Sequence, residues 1–167
     1  MALTPKRWQD SATETAQVVL PNDSNPLGYI LGGTVMHMID ITGALACHRH
    51  TNSLALTAGV DSLDFIHPIK VGDIIILKSR VNATFRTSLE VEVEVFSEET
   101  LTGVRRMTSR AYLTFVATDR DGQRTRIPGL ILETDEEKRR AAEADLRRAE
   151  RLKARKLLEQ RLGETKN

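Results

Sequence analysis

One carboxylate stands inside an apolar run: Asp40, within Gly32-Gly33-Thr34-Val35-Met36-His37-Met38-Ile39-Asp40-Ile41-Thr42-Gly43-Ala44-Leu45-Ala46-Cys47-His48. An ionised aspartate buried among such neighbours is costly unless something pairs with it or uses it. At helical spacing, Gly33, His37, Asp40 and Ala44 share one stripe. Gly43, Ala44 and Cys47 beside it are small enough to let another surface come close. Two readings fit these residues. One is the wall of a cleft that carries a general base. The other is a helix–helix contact in which Asp40 bonds a neighbouring backbone. Ahead of the run lies the turn-rich loop Asn22-Asp23-Ser24-Asn25-Pro26-Leu27-Gly28, with Asn25 held extended by the proline after it. Such a loop feeding the start of a buried helix presents free backbone N–H groups and the positive helix end, a ready place for a developing oxyanion.

The elements that must position these groups follow from periodicity. The run reads as a helix apolar almost all the way round, which predicts burial on every side; its length of roughly 24 Å is the width of a small domain. Thr13 to Leu20 alternates as a first strand. After Asn52-Ser53 the period becomes twofold: Leu54 to Phe65, with Leu56, Ala58 and Val60 on one face, then Ile74 to Phe85, with Ile75, Leu77, Val81 and Ala83 together. Leu89 to Val95 alternates without a break, Arg105 to Thr118 completes the set, and Asp119-Arg120-Asp121-Gly122 is a hairpin-like turn. Strict alternation suits an antiparallel sheet with one face buried and one wet. A strand, a buried helix and four long strands give an α+β fold, a central helix wrapped by a curved antiparallel sheet. Strands this long leave edges that call for a second copy. From Asp135 the composition turns to Glu, Arg, Lys, Ala and Leu. Thr134 and Glu137 form a capping box for a helix to about Leu162, with Gly163 as its stop. The leucines hold no strict heptad, so this reads as a solvated amphipathic helix docking on its own oligomer.

Composition bounds the function. With 40% hydrophobic and 28% charged residues and a net charge of +1, the chain reads as a soluble globular protein with no field aimed at nucleic acid or membrane. No apolar run reaches the length of a membrane span, and Met1 to Trp8 lacks a signal-peptide core. A reducing cytoplasm is the expectation. Cys47 is the single cysteine and reads as a small buried hydrophobe. His48, His50 and His67 lack metal-ligand spacing, so no metal is expected. His37 lies on the Asp40 stripe at the helix edge; Asp61 and Asp64 read as strand or turn residues.

The stretches Pro21 to Gly33, Met38-Ile39-Asp40, Val60-Asp61-Ser62-Leu63-Asp64-Phe65-Ile66-His67-Pro68-Ile69-Lys70-Val71-Gly72-Asp73 and Arg86-Thr87-Ser88-Leu89-Glu90-Val91, in that order, resemble the hotdog-fold acyl-CoA thioesterases, nearest to their cytosolic acyl-CoA hydrolase branch. The resemblance covers residues 10–122 as a hotdog domain and leaves 123–167 as a C-terminal extension with a charged helix. It implies hydrolysis of fatty acyl-CoA at a site between two hotdogs, with Asn25 from one and Asp40 from the other. A chain holding both implies a symmetric homodimer, assembling further into hexamers in many members. Asp40 would act as general base on water or attack the thioester directly as a carboxylate. The Gly33 N–H would receive the oxyanion, and Asn25 would orient water or carbonyl. Arg86, Thr87 and Ser88 would hold the CoA phosphates or pantetheine, with Arg49 and Arg110 as further phosphate candidates. No separate cofactor is implied, since CoA belongs to the substrate. Two other readings of the same fold exist. Ser24-Asn25-Pro26-Leu27 is similar to the Asp-x-Asn-Pro-Leu-His loop of hotdog enoyl-CoA hydratases, but Gly28 stands in place of the histidine. An acyl-CoA sensor without turnover would carry a DNA-binding module ahead of the hotdog, for which residues 1–10 are too short.

Overall fold

Apolar alternation in five segments builds one antiparallel sheet from β1 (Thr13–Val18), β2 (Leu54–Phe65), β3 (Ile74–Thr84), β4 (Ser88–Glu98) and β5 (Arg105–Thr118), in the spatial order β1-β3-β4-β5-β2. The helix α1 (Gly32–Thr51) connects β1 to β2 and packs on one face of that sheet. The computed structural model describes residues 3–164. Its contacts separate two compact units, Met1–Ile131 and Leu132–Asn167. In the first, Val35, Ile39, Ala46 and Cys47 of α1 meet Leu77, Val91, Val93, Leu113 and Phe115 of the sheet. The helix seats closely because position 43 is glycine: a Cβ there would lie 3.0 Å from the Phe115 ring and 3.5 Å from Val93. The Ser79 hydroxyl donates to the Thr42 carbonyl at 3.0 Å, fixing the same contact from β3. The central helix wrapped by an antiparallel sheet is thus the arrangement expected.

Several local expectations change. The helix runs one turn past His48 and ends at Thr51, where Asn52 adopts the left-handed conformation (φ 53°) and its N–H returns to the His48 carbonyl. Within β2, register shifts between Thr57 and Gly59 and between Val60 and Ser62 break the twofold period. Leu56 therefore stands opposite Val116 and Val60 opposite Leu113, on different faces of the sheet, instead of together. A similar shift between Val81 and Ala83 turns Ala83 away from Ile75, Leu77 and Val81. The outward face of β4 is not uniformly wet: Glu90 and Glu92 are both 1% exposed. Asn82 Nδ2 donates to each at 3.3 Å, and Arg110 lies 3.3 Å from Glu92 and 2.7 Å from Glu94. Burial is tolerated there because Glu92 is paired with Arg110 and both carboxylates accept from Asn82.

The helix expected to be buried all round is buried on one side only. Met36, Ile41 and Leu45 are 49%, 45% and 38% exposed in the single chain, and Met36 lies one turn from Asp40, on the side of α1 that meets β2, an edge strand. In the second unit, α2 (Asp135–Glu164) opens with the expected capping box: Glu137 N–H donates to Thr134 Oγ1 at 3.2 Å, and Thr134 N–H donates to Glu137 Oε2 at 3.1 Å. It continues through Gly163, which is not a stop. Pairs such as Arg139–Glu143 and Arg155–Glu159, one turn apart, support a helix of this polarity.

Candidate active site

The loop ahead of α1 is organised by Asn25. Its Oδ1 accepts from the Leu27 N–H at 3.0 Å and the Tyr29 N–H at 3.2 Å, and its own N–H donates to the Tyr29 carbonyl at 2.8 Å. These bonds close an Asx-type turn and leave the side-chain amide N–H2 free to donate outward. Beside it opens a cavity of about 340 Å³ lined by Asn25, Tyr29, Gly32, Phe65, His67 and Ser109, among others. The first backbone bond into the helix is Val35 N–H to Leu31 carbonyl at 3.1 Å, so the N–H groups of Gly32, Gly33 and Thr34 precede the helical ladder. At Gly33 nothing lies within 4 Å of where a Cβ would be. The same loop contains Gly28 at φ 77°, a backbone conformation strained for histidine.

Asp40 belongs to a different wall. It is half-buried, not sunk in the core, and the Thr57 hydroxyl of β2 donates to its Oδ1 at 2.6 Å. Thr57 was not singled out in the sequence, because its contact with Asp40 depends on how an edge strand crosses the helix, which no spacing encodes. Asp40 does not line the cavity of Asn25, and along α1 it stands roughly 10 Å beyond Gly33. The chain thus offers two half-sites: an amide beside free helix-start N–H groups, and a hydroxyl-held carboxylate on the exposed apolar flank of α1.

The remaining candidates are dispersed. Arg86, Thr87 and Ser88 form the turn between β3 and β4, where the Thr87 carbonyl accepts from Ala117 N–H and Ser88 pairs with Val116. The cavity of Asn25 reaches Ser109, and the step along β5 from Ser109 to Val116 is about 23 Å. Within one chain, then, that turn lies at the far end of the sheet from the cavity. The other phosphate candidates are engaged. Arg49 donates to the Ala12 carbonyl and Thr13 Oγ1, both at 2.9 Å. Arg110 is held by its glutamates; burial acts to lower its pKa, but the Glu94 hydrogen bond and the Glu92 and Glu94 charges outweigh it and raise the value. Cys47 is buried, and desolvation pushes its thiol up to about 11, against a smaller opposing effect of Thr51. Among the described residues no group of three or more His, Cys, Asp or Glu could hold a metal ion, and no helix is long and apolar enough to cross a membrane.

A sequence profile of the thioesterase superfamily matches residues 27–104. The chain is similar to an uncharacterised acyl-CoA thioester hydrolase of Bacillus subtilis, 37% identical over 119 residues, which are 71% of this chain and 69% of that protein. It is 35% identical over 108 residues to the human cytosolic acyl coenzyme A thioester hydrolase, of which it spans only 28%. Among solved structures, an apo-hexameric acyl-CoA thioesterase superposes with a TM-score of 0.86 at 40% identity, covering 91% of this chain and 97% of that one. An acyl-CoA hydrolase of Staphylococcus aureus, in complex with butyryl coenzyme A, coenzyme A and coenzyme A disulfide, superposes at 0.84 with 33% identity, covering 95% and 96%. That enzyme has also been solved as variants in which an aspartate, an asparagine and a threonine are each replaced by alanine.

Proposed function

The chain belongs to the acyl-CoA thioester hydrolases of the thioesterase superfamily, and on that premise we propose that it hydrolyses fatty acyl-CoA to free acid and CoA at a site shared between two subunits. Asp40 of one subunit takes a proton from water as that water attacks the thioester carbonyl carbon. Thr57, donating to Oδ1, fixes the carboxylate and leaves Oδ2 for the water. The Gly33 N–H of the partner subunit, ahead of the helical ladder and in the same half-site as that subunit's Asn25, receives the oxyanion. Asn25 of the partner subunit orients water or carbonyl with its free N–H2. Collapse of the tetrahedral species breaks the C–S bond, and the leaving thiolate takes the proton back from Asp40. No separate cofactor enters this sequence of steps.

One observation carries the shared site: Asp40 and its threonine sit on an exposed apolar flank, outside the cavity that holds Asn25. A second copy laid on the open edge of β2 covers that flank and brings its own loop to the carboxylate. Hexameric assembly of a similar enzyme agrees with pairing of this kind. The intervals separating Asn25, Asp40 and Thr57 are also those separating the three residues replaced in the Staphylococcus aureus hydrolase. The Arg86-Thr87-Ser88 turn contributes CoA contacts only from a neighbouring subunit, given its distance along the sheet.

The test is thiol release from acyl-CoAs, followed with DTNB. Asp40→Asn should abolish turnover with assembly intact; turnover at the parent rate removes Asp40 as base. Asn25→Ala and Asp40→Ala subunits, each inactive alone, should regain activity when mixed and reassembled. In a twofold dimer, random exchange gives half mixed dimers with one whole site each, about a quarter of parent activity. No recovery in verified mixed dimers refutes the shared site.

A further inference from the structure

A second cavity, of about 250 Å³, adjoins the first, and Tyr29, His67 and Pro68 line both. Beyond those shared walls it is lined by two cations, Lys70 and Arg106, and two acids, Asp73 and Glu99. The acids are bonded within their own loops: Asp73 Oδ2 accepts from the Lys70 backbone N–H at 3.3 Å, and Glu99 Oε2 accepts from the Thr102 hydroxyl at 2.7 Å. The cations are not engaged. Neither the Lys70 Nζ nor the Arg106 guanidinium has a hydrogen-bond or ion-pair partner among the described residues. Their neighbours differ in this respect. Arg105 bonds Glu98 through Nε at 3.0 Å and Nη2 at 2.6 Å, and Lys78 lies 3.2 Å from Glu14.

We propose that Lys70 and Arg106 form an anion anchor that receives the phosphate-bearing end of acyl-CoA as its pantetheine arm leaves the first cavity; this rests on the thioester-hydrolase reading. Lys70 is held in fixed register with the loop of Asn25. Ile30 N–H donates to the Ile69 carbonyl at 2.9 Å, Val71 N–H donates to the Gly28 carbonyl at 3.0 Å, and Tyr29 and Lys70 form a β-bridge between them. Arg106 is set by β5: from Ser109, on the wall of the first cavity, the strand carries it about 10 Å onward. A phosphopantetheine arm spans that step with slack, and Tyr29 and Pro68 offer it apolar sides. A planar guanidinium can fork onto phosphate oxygens while an ammonium adds a mobile point charge. Both groups are free to turn to a ligand because no carboxylate among the described residues has claimed them.

The experiment is a titration of CoA into the parent protein and into Lys70→Ala, Arg106→Ala, the double variant and Arg105→Ala. Each of the first two should weaken CoA binding about tenfold, and the double variant about a hundredfold. Arg105→Ala, one residue along but committed to Glu98, should bind as the parent does. A smaller loss with dephospho-CoA assigns the pair to the 3′-phosphate; an equal loss assigns it to the diphosphate. Added salt should weaken the parent more than the double variant. If the double variant binds CoA as tightly as the parent, or the parent binds none, the anchor is refuted. If the pair governs CoA binding but the parent releases no thiol from any acyl-CoA, the anchor stands and the hydrolase reading fails.

Discussion

Replacing Thr57 by valine removes one hydroxyl and keeps the shape of the side chain. The bond it deletes is short, 2.6 Å to Asp40 Oδ1, and its acceptor is a carboxylate. Hydrogen bonds to charged groups contribute about 1.5–3 kcal/mol, but this pair is partly open to solvent in the single chain and water can stand in for the hydroxyl. About 1–2 kcal/mol is therefore the part at stake, which lowers kcat roughly 5–30-fold if the bond persists while water attacks. The loss should fall on kcat and not on KM, since Thr57 holds the base and touches no acyl group in the proposed site. Global stability should barely move, because the site lies on an exposed edge strand. Thr57→Ser, which keeps the donor, should recover most of the rate. Steady-state thiol release with one acyl-CoA series measures all three proteins. A Thr57→Val enzyme with parental kcat refutes the positioning role, as does a Thr57→Ser enzyme as slow as Thr57→Val.

Two further outcomes concern the frame that carries the site. Gly43→Ala brings a Cβ to 3.0 Å from Phe115, an overpacking cost of about 1–3 kcal/mol against a helix-propensity gain of about 1 kcal/mol; urea denaturation should show a net loss of up to ~2 kcal/mol, relieved by Phe115→Leu. His50 is buried between Ser11 Oγ, 3.4 Å from its Nδ1, and the Pro128 carbonyl, 3.3 Å from its Nε2; burial lowers its pKa from 6.5 despite the opposing pull of that carbonyl. Since the unfolded chain then takes up the proton first, stability should be full above about pH 6.5 and fall by ~1.4 kcal/mol per pH unit below it, down to the lowered folded value. Urea midpoints at descending pH should show a shallower slope in His50→Gln, and equal slopes refute the assignment.

The central helix, the long strands and the capping box were legible because each depends on a local period or cap: Val35 and Ile39 inward, Leu89 to Val95 alternating, Thr134 three residues before Glu137. Asp40 was legible as an anomaly, a charge where the helix is otherwise apolar. What the sequence hid depends on contacts between segments far apart in the chain. Thr57 meets Asp40 only once β2 has taken its edge position, and Leu56 and Val60 part company only through the register shift between Thr57 and Gly59, which alternation cannot show. The Arg86 turn reads as a CoA contact by resemblance, and only the strand register shows that it stands at the other end of the sheet from the chain's own cavity. Lys70 and Arg106, separated by two strands, become neighbours only around a shared cavity.

The exposed apolar flank gives the proposed chemistry its control. Met36, one turn from Asp40 on α1, and Val60 on β2 are exposed apolar groups, and the unpaired edge of β2 lies beside them. Such a flank lowers its free energy by being covered, through burial of apolar area and completion of edge hydrogen bonds. Asp40 and Thr57 lie within it, so in the proposed site the covering that stabilises the fold is the same event that would bring Asn25 of the partner subunit to the carboxylate and exclude bulk water around it. On that proposal a lone subunit would keep its base in solvent with no amide to orient the nucleophile. Activity should therefore follow the concentration of dimer and not of chain, and dilution through the dimer dissociation constant should lower turnover per chain before it unfolds the first unit. A constant specific activity across a dissociation seen by light scattering or sedimentation would show that each chain carries a whole site, and the division of labour between Asn25 and Asp40 would fall with it.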